Sequence, residues 1–289
     1  MKLFIFLFYA AITVEANLPV VLWHGMGDNC CHSFSMGAFE KMIRHHVPGV
    51  DYIRSLMIGA SPTADTENGF VMPVDEQLEL ACAMIKNDTR LANGYNAIGF
   101  SQGAQFLRGV AQKRPGMVNL ISFGGQHQGI YGLPKCPGSA TICEWVRELL
   151  GWGAYTYFVQ SRLVQAQYWH DPNQEETYTK YSQFIARINC EGGICPAAYA
   201  ENLKLLEKFV MVKFNQDSMV VPPESSHFGY YQPGQDQDVV DMHQLPVYTD
   251  NRIGLREMDE QGKLVMLSTD GDHLQITEDF FAEQIVPYL

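Results

Sequence analysis

Apolar residues in this chain of 289 residues gather into short unbroken runs, with stretches of helical periodicity between them. The run LPVVLWHG (18–25) has no polar interruption until it ends in His24-Gly25, the pattern of a strand covered on both faces of a parallel sheet. VDYIRSLMIG (50–59) offers a second strand, YNAIGF (95–100) a third and MVNLISFGG (117–125) a fourth. Between them, helical spacing of apolar positions is read around Gly37 to His45, in VDEQLELACAMIKN (74–87) and in SQGAQFLRGVAQK (101–113). Such alternation predicts βαβ units and a mostly parallel sheet, so the expected fold class is α/β. KFVMVKFN (208–215) and KLVMLST (263–269) resume the sheet, and TEDFFAEQIVPYL (277–289) reads as a closing amphipathic helix.

From about Gln126 to Leu206 the pattern changes to aromatic-rich and glutamine-rich helical pieces without strong strands. The segment lacks linker-like flanks and has few aliphatic runs for a core of its own, so it is expected to be a cap inserted into one domain spanning 17–289. Its large apolar side chains, from Ile130 and Tyr131 through Trp145, Leu149, Trp152, Tyr155, Phe158 and Leu163 to Tyr168 and Trp169, exceed what a lid needs to cover a sheet. They are expected to line a groove for a long apolar substrate.

The first residues, MKLFIFLFYAAITVEA, combine one lysine, an apolar stretch from Leu3 to Val14 and the small-residue pattern ending at Ala16. This predicts a signal peptide over 1–16, too short to span a bilayer, and a mature chain beginning at Asn17 in the lysosome or outside the cell. A formal net charge of −12, with no Lys/Arg run, argues against nucleic-acid or anionic-membrane partners. Seven cysteines suit an oxidising route. Cys136 with Cys143, and Cys190 with Cys195, are spaced to close small loops, while Cys30 and Cys31 are adjacent and a bridge between them would be strained. Cys82 is left over. NCCH (29–32) has no second ligand pair at metal-site spacing, so no metal and no cofactor is assigned. Asn87-Asp88-Thr89 is a glycosylation sequon.

The chemistry centres on Gly99-Phe100-Ser101-Gln102-Gly103, where a strand-like run gives way to a helix-like one. A Gly-x-Ser-x-Gly at that junction reads as a nucleophile elbow, a sharp turn that lifts a serine Oγ above the end of a parallel sheet. The α/β-hydrolase order is Ser, then Asp or Glu, then His, each in a loop after a strand. Ser101, Asp217 and His273 meet that order and those positions. His273 would take the serine proton and Asp217 would fix the imidazole tautomer. The backbone N–H of Gln102 and that of Met26, in the HGMGD loop after the first strand, are the candidate oxyanion donors. Glu224, Asp236, Asp238 and Asp241 are competing acids, and His227 and His243 competing bases, but they fall in a Pro-rich stretch with no strong strand before it. Asp270 and Asp272 flank His273 and read as shaping its turn.

WHGMGDNCC (23–31), GYNAIGFSQGAQFLR (94–108), NLISFGGQHQGIYGLPKCPG (119–138), RLVQAQYWHDP (162–172), KFVMVKFNQDS (208–218) and DGDHLQ (270–275) together resemble the lysosomal palmitoyl-protein thioesterase family over nearly all of the mature chain. The resemblance implies an α/β hydrolase that removes long-chain acyl groups from cysteine thioesters of proteins or peptides, with the triad Ser101, Asp217 and His273 and the oxyanion donors Met26 and Gln102. An acyl-CoA thioesterase or lipid esterase with the same machinery is the alternative. Several positions depart from the family. Val221-Pro222 stands where the family has an acid before proline, which leaves Asp217 as the acid within the motif. The family partner of Cys82 would fall near Arg114, so Cys82 is expected to be free. Cys190 and Cys195 are this chain's own addition, and the family glycan sites near Lys180 and Gln216 are missing.

Overall fold

The computed structural model describes residues 17–132, 148, 150, 153–193 and 195–289. The expected leader at 1–16 and the Cys136–Cys143 pair lie outside the described residues. Six strands, β1 (Val20–Trp23), β2 (Ile53–Ser55), β3 (Tyr95–Phe100), β4 (Met117–Phe123), β5 (Lys208–Phe214) and, past a small hairpin, β8 (Leu264–Thr269), form one sheet in the order β2-β1-β3-β4-β5-β8. All five pairings are parallel. The hairpin is β6 (Tyr230–Tyr231) against β7 (Val239–Val240), antiparallel.

The uninterrupted apolar runs have a direct cause: alternate residues of one strand enter two different cores. Val21 and Trp23 of β1 and Ala97 of β3 pack on the face carrying Phe106, Leu107 and Leu78. Val20, Leu22, Ile98 and Phe100 point the other way, against Phe39, Ile43, Phe281 and Ile285. Helix α1 (Met36–His46) covers this second face with Met36, Phe39 and Ile43. Helices α3 (Val74–Asn87) and α4 (Gln102–Lys113) cover the first, with Val74, Leu78, Ala81 and Ile85 of α3 at the spacing of one helical face.

Two elements differ from expectation. Helix α2 (Pro62–Val71) was not foreseen, because PTADTENGFV has too few apolar residues for a helical period to show. Its start is nonetheless written in the sequence: Ser61 Oγ accepts from Ala64 N at 3.2 Å and Pro62 occupies the first turn. The expected closing helix is broken into a helical turn Glu278–Phe280, a wider turn Phe281–Ile285 and a final tight turn Val286–Tyr288. Pro287 has no N–H to continue the ladder, and burial of Phe281 and Ile285 holds the segment in place instead.

Since β4 and β5 are hydrogen-bonded neighbours, the chain between them is an excursion from the sheet. Its described part contains the short helices Tyr157–Gln160, Val164–Gln167, Glu175–Tyr181, Ile185–Ile188 and Ala197–Leu203. Short helices leave many end groups unpaired, and this accounts for the glutamine enrichment. Buried Gln160 donates to Ala154 O at 2.8 Å and Ala166 O at 2.6 Å, and Gln167 donates to Gln160 O at 2.7 Å. A backbone bridge, Ile130 N to Tyr168 O at 3.0 Å and His170 N to Ile130 O at 2.9 Å, ties the excursion back to the end of β4.

Candidate active site

Ser101 sits between the last residue of β3 and the first of α4 with φ 53° and ψ −124°. That backbone state is unfavourable for a residue with a Cβ, by about 1–3 kcal/mol, and is held by the surrounding structure. Ser101 N donates to Phe123 O on β4 at 2.8 Å. The flanking glycines answer a packing demand. A Cβ on Gly103 would lie 2.3 Å from His24 O and 2.4 Å from Trp23 O, and one on Gly99 would lie 2.4 Å from Ala104 Cα. Only hydrogens at these positions let α4 start so close to β1 and β3.

Asp217 follows β5 and His273 follows β8, on adjacent strands of the sheet. His273 Nδ1 lies 2.7 Å from Asp217 Oδ2, and the other oxygen, Asp217 Oδ1, accepts from Met219 N and Val220 N at 2.9 and 2.8 Å. The Asp217 side chain is fully buried. With Nδ1–H donated to the carboxylate, His273 is left in the tautomer that keeps Nε2 free for a proton. Ser101 and His273 border the same cavity. Asp272 accepts from Ser218 N, Ser218 Oγ and His273 N, and Asp270 accepts from Asn215 Nδ2, so both brace the turn around His273.

The competitors lie elsewhere. Glu224 faces Lys213 at 3.5 Å, and His227 Nε2 points between Met211 O and Leu267 O. His243 is exposed between Asp241 and Asp259. Asp236 and Asp238 are on the exposed approach to β7.

Met26 lines both spaces that Ser101 lines, and Gln102 follows Ser101 as the first residue of α4. The first N–H groups of a helix have no partner within it, which leaves Gln102 N available, and Met26 N donates to no backbone carbonyl among the described residues. The Gln102 side chain is fixed from two sides. Its Nε2 donates to Gly69 O of α2 at 3.0 Å, and its Oε1 accepts from Tyr168 OH at 3.2 Å and Gln165 Nε2 at 3.3 Å.

Behind Met26 lies a buried ion pair that sequence reasoning missed. His24 Nε2 is 3.1 Å from Asp65 Oδ1, and His24 Nδ1 is 2.9 Å from Gly25 O. Burial lowers the pKa of His24, but the hydrogen bond and charge of Asp65 and the bond to Gly25 outweigh it, so the net shift is upward. Asp65 also accepts from Cys30 N at 2.8 Å and Ile58 N at 2.7 Å, joining α2 to the far end of the loop after His24 and to the segment after β2. Cys30 and Cys31 are bonded to each other, so the pairing left open at the sequence level is resolved, and NCCH offers no free thiol. Cys190 is bonded to Cys195, and Cys82 is free and half-buried. Asn87 is exposed at the end of α3.

Gln126 is the second residue missed. Its Nε2 donates to Ser101 Oγ at 2.9 Å, while its Oε1 accepts from Gln105 Nε2 of α4 at 3.1 Å. An amide is not a residue type that a search for acids, bases and nucleophiles singles out.

Two apolar spaces meet at Ser101. One, about 460 Å³, runs along α1. The other is a narrow slot between Met26, Gln126, Ile130, Leu150, Tyr168 and Met219. The slot shares Leu150 with a cavity of about 540 Å³ lined by Tyr131, Tyr155 and Trp169. Ile130 and Tyr168 therefore line the slot that Ser101 borders, and Tyr131, Tyr155 and Trp169 line the cavity that shares Leu150 with it. Leu163 instead packs with Phe70, Val159 and Ala166, and Phe158 is exposed on the surface. Trp145, Leu149 and Trp152 lie outside the described residues.

Palmitoyl-protein thioesterase 1 of Caenorhabditis elegans is 51% identical over 272 residues, covering 93% of this chain and 91% of its own. Palmitoyl-protein thioesterase 3 of Dictyostelium discoideum is 31% identical over 287 residues, covering 97% of this chain and 95% of its own. The family model described as palmitoyl protein thioesterase matches residues 19–273, from the strand before the His24 loop to His273 itself. By the extent of that match and by these relatives, the chain belongs to the palmitoyl protein thioesterase family.

Proposed function

We propose that this protein hydrolyses long-chain acyl, and specifically palmitoyl, thioesters of cysteine in proteins or peptides, through an acyl-serine intermediate on Ser101. His273 Nε2 removes the Ser101 proton as Oγ attacks the thioester carbonyl, while Asp217 holds Nδ1–H and stabilises the imidazolium. The carbonyl oxygen becomes an oxyanion facing Met26 N and Gln102 N. The carbonyl then re-forms, the C–S bond breaks, and the sulfur leaves with its electron pair and takes the proton from His273. A thiol of pKa ~8.5 is a good leaving group, so the demand on His273 as an acid is modest. Water activated by His273 releases the fatty acid in a second, equivalent cycle.

Residues 126–206 act as the cap, and the acyl chain passes from Ser101 through the slot under Ile130 and Tyr168 toward the Tyr155 and Trp169 cavity. The observation that carries this reading is the apolar slot opening on a serine backed by the His273–Asp217 pair. Delivery through the secretory pathway to the lysosome or cell exterior accords with the bonded cysteine pairs and the exposed sequon at Asn87. No helix among the described residues is long and apolar enough to cross a membrane.

The test is kcat/KM on peptide thioesters of rising chain length, below their micellar concentrations, with palmitoyl-CoA and a palmitate oxyester for comparison. Each buried methylene contributes up to about 0.8 kcal/mol. Lengthening from octanoyl to palmitoyl therefore raises kcat/KM by at least about two orders of magnitude even with incomplete burial. A flat profile or a short-chain maximum would remove the long-chain reading.

A further inference from the structure

The larger space at Ser101 is not on the cap side. It runs along α1 between Phe34, Phe39 and Met42 on one wall and Leu274 and Ile276 on the other, and His273 forms part of its floor. The narrow slot lacks His273 in its lining and has Gln126 instead. This asymmetry has a chemical reading. When the tetrahedral intermediate collapses, the electron pair of the C–S bond leaves on sulfur, which takes a proton from His273 Nε2, so the departing thiol must lie over His273. The acyl group lies on the other side, toward the slot.

We propose that the α1 trough is the leaving-group site, and that it takes the peptide around the acylated cysteine through a large apolar side chain next to that cysteine. This inference rests on the thioesterase reading above. Phe34 stands at the rim with 79% of its surface exposed, covered only on one side by the His32 ring at 4.9 Å. An aromatic left that open beside a catalytic serine is a contact surface in search of substrate. Besides His273, the only ionisable side chain in the lining among the described residues is Asp28. Its Oδ1 is occupied by His32 Nδ1, Asn29 N and Ser35 Oγ, at 2.7, 2.8 and 3.0 Å. Among the described residues no lysine or arginine lines the trough to receive an acidic residue, so the site favours apolar, neutral or basic sequence over acid.

The experiment uses palmitoyl-cysteine peptides of equal length with Leu, Gly or Asp beside the cysteine, assayed by kcat/KM below their micellar concentrations. Partial burial of a leucine side chain in an open trough gives about a tenfold preference over glycine, with aspartate below glycine. In Phe34→Ala and Met42→Ala the leucine-to-glycine ratio falls toward one, while the ratio of palmitoyl to octanoyl substrates is retained. Indifference of the wild-type protein to the neighbouring residue overturns the proposal. So does a change in chain-length preference, rather than neighbour preference, in the two variants, since the trough would then hold the acyl chain. Absence of turnover on every palmitoyl peptide is a different failure: it removes the thioesterase reading itself, and the trough assignment with it.

Discussion

Asp65→Asn isolates the contribution of the ion pair behind the oxyanion loop. The native carboxylate accepts from Cys30 N and Ile58 N at 2.8 and 2.7 Å and lies 3.1 Å from His24 Nε2. An asparagine has one acceptor oxygen, and its NH2 must face a donor. One charge-assisted hydrogen bond is lost, worth about 1.5–3 kcal/mol, and the other loses its charge assistance. His24 is then a buried cation without a counter-charge, or else gives up its proton. Breaking a buried pair by removing one partner costs about 3–5 kcal/mol, and we expect the sum to fall in that range. For a protein of this size each kcal/mol shifts Tm by about 2–4 °C, so Tm should fall by roughly 10 °C in a thermal scan at pH 5. Activity should fall further than unfolding explains, because Met26 is two residues from His24. A misplaced oxyanion donor costs about 100- to 1,000-fold in kcat, with KM little changed. The effect has a pH signature. His24 has a raised folded pKa, so its stabilisation is complete below its unfolded value of about 6.5 and is lost as pH rises through the folded value. The gap in Tm between native and variant protein should therefore be wide at pH 5 and narrower above neutrality. An unchanged Tm with unchanged kcat, or a gap that widens with pH, would refute the reasoning.

Ser101→Ala should leave the fold intact and abolish turnover, and Asp217→Asn should be severe through the wrong His273 tautomer while Glu224→Gln is mild; the reverse ranking of the two acids by kcat would misplace the acid. Gln126→Leu removes the donor to Ser101 Oγ and should lower kcat about ten- to a hundredfold with KM nearly unchanged, whereas a rise in KM alone would make Gln126 a wall of the slot. Gly103→Ala drives a methyl into the carbonyls of Trp23, the last residue of β1, and His24 just past it, and should prevent stable folding at 37 °C, and a variant with native circular dichroism and activity would show that α4 moves freely. Glu191, next to Cys190 and bonded by Tyr178 OH, has its carboxyl pushed up by desolvation, so its contribution is full below about pH 4.3 and is lost as pH rises through the folded value; Glu191→Gln should flatten that fall in Tm across thermal scans from pH 4 upward.

The sheet was legible in sequence because its strands are buried on both faces, so β1, β3, β4 and β5 are apolar runs no other element explains as simply. The positions of Ser101, Asp217 and His273 just past β3, β5 and β8 were legible because each follows such a run. The His24–Asp65 pair was not, since its acid sits on α2, a helix with no apolar period, 41 positions from its partner. Gln126 was hidden for another reason: it acts through a neutral amide whose role depends on the distance to Ser101. The position of the larger trough was also invisible in sequence. It arises where α1 lies beside Leu274 and Ile276 in the loop after β8, a juxtaposition that no local pattern encodes.

The tether on Gln102 bears on how such an enzyme could diversify. Because β4 and β5 are adjacent, the excursion between them could in principle be exchanged as a cassette without disturbing the strands that carry Ser101, Asp217 and His273. Yet Tyr168 and Gln165, inside that cassette, grip the side chain of Gln102, whose backbone N–H we propose as an oxyanion donor. A transplanted cap would thus bring a new chain-length preference together with a new catalytic rate, and the two traits could not be selected separately. Recombination at this site should succeed only when the donor cap also supplies a hydroxyl and an amide at those two places.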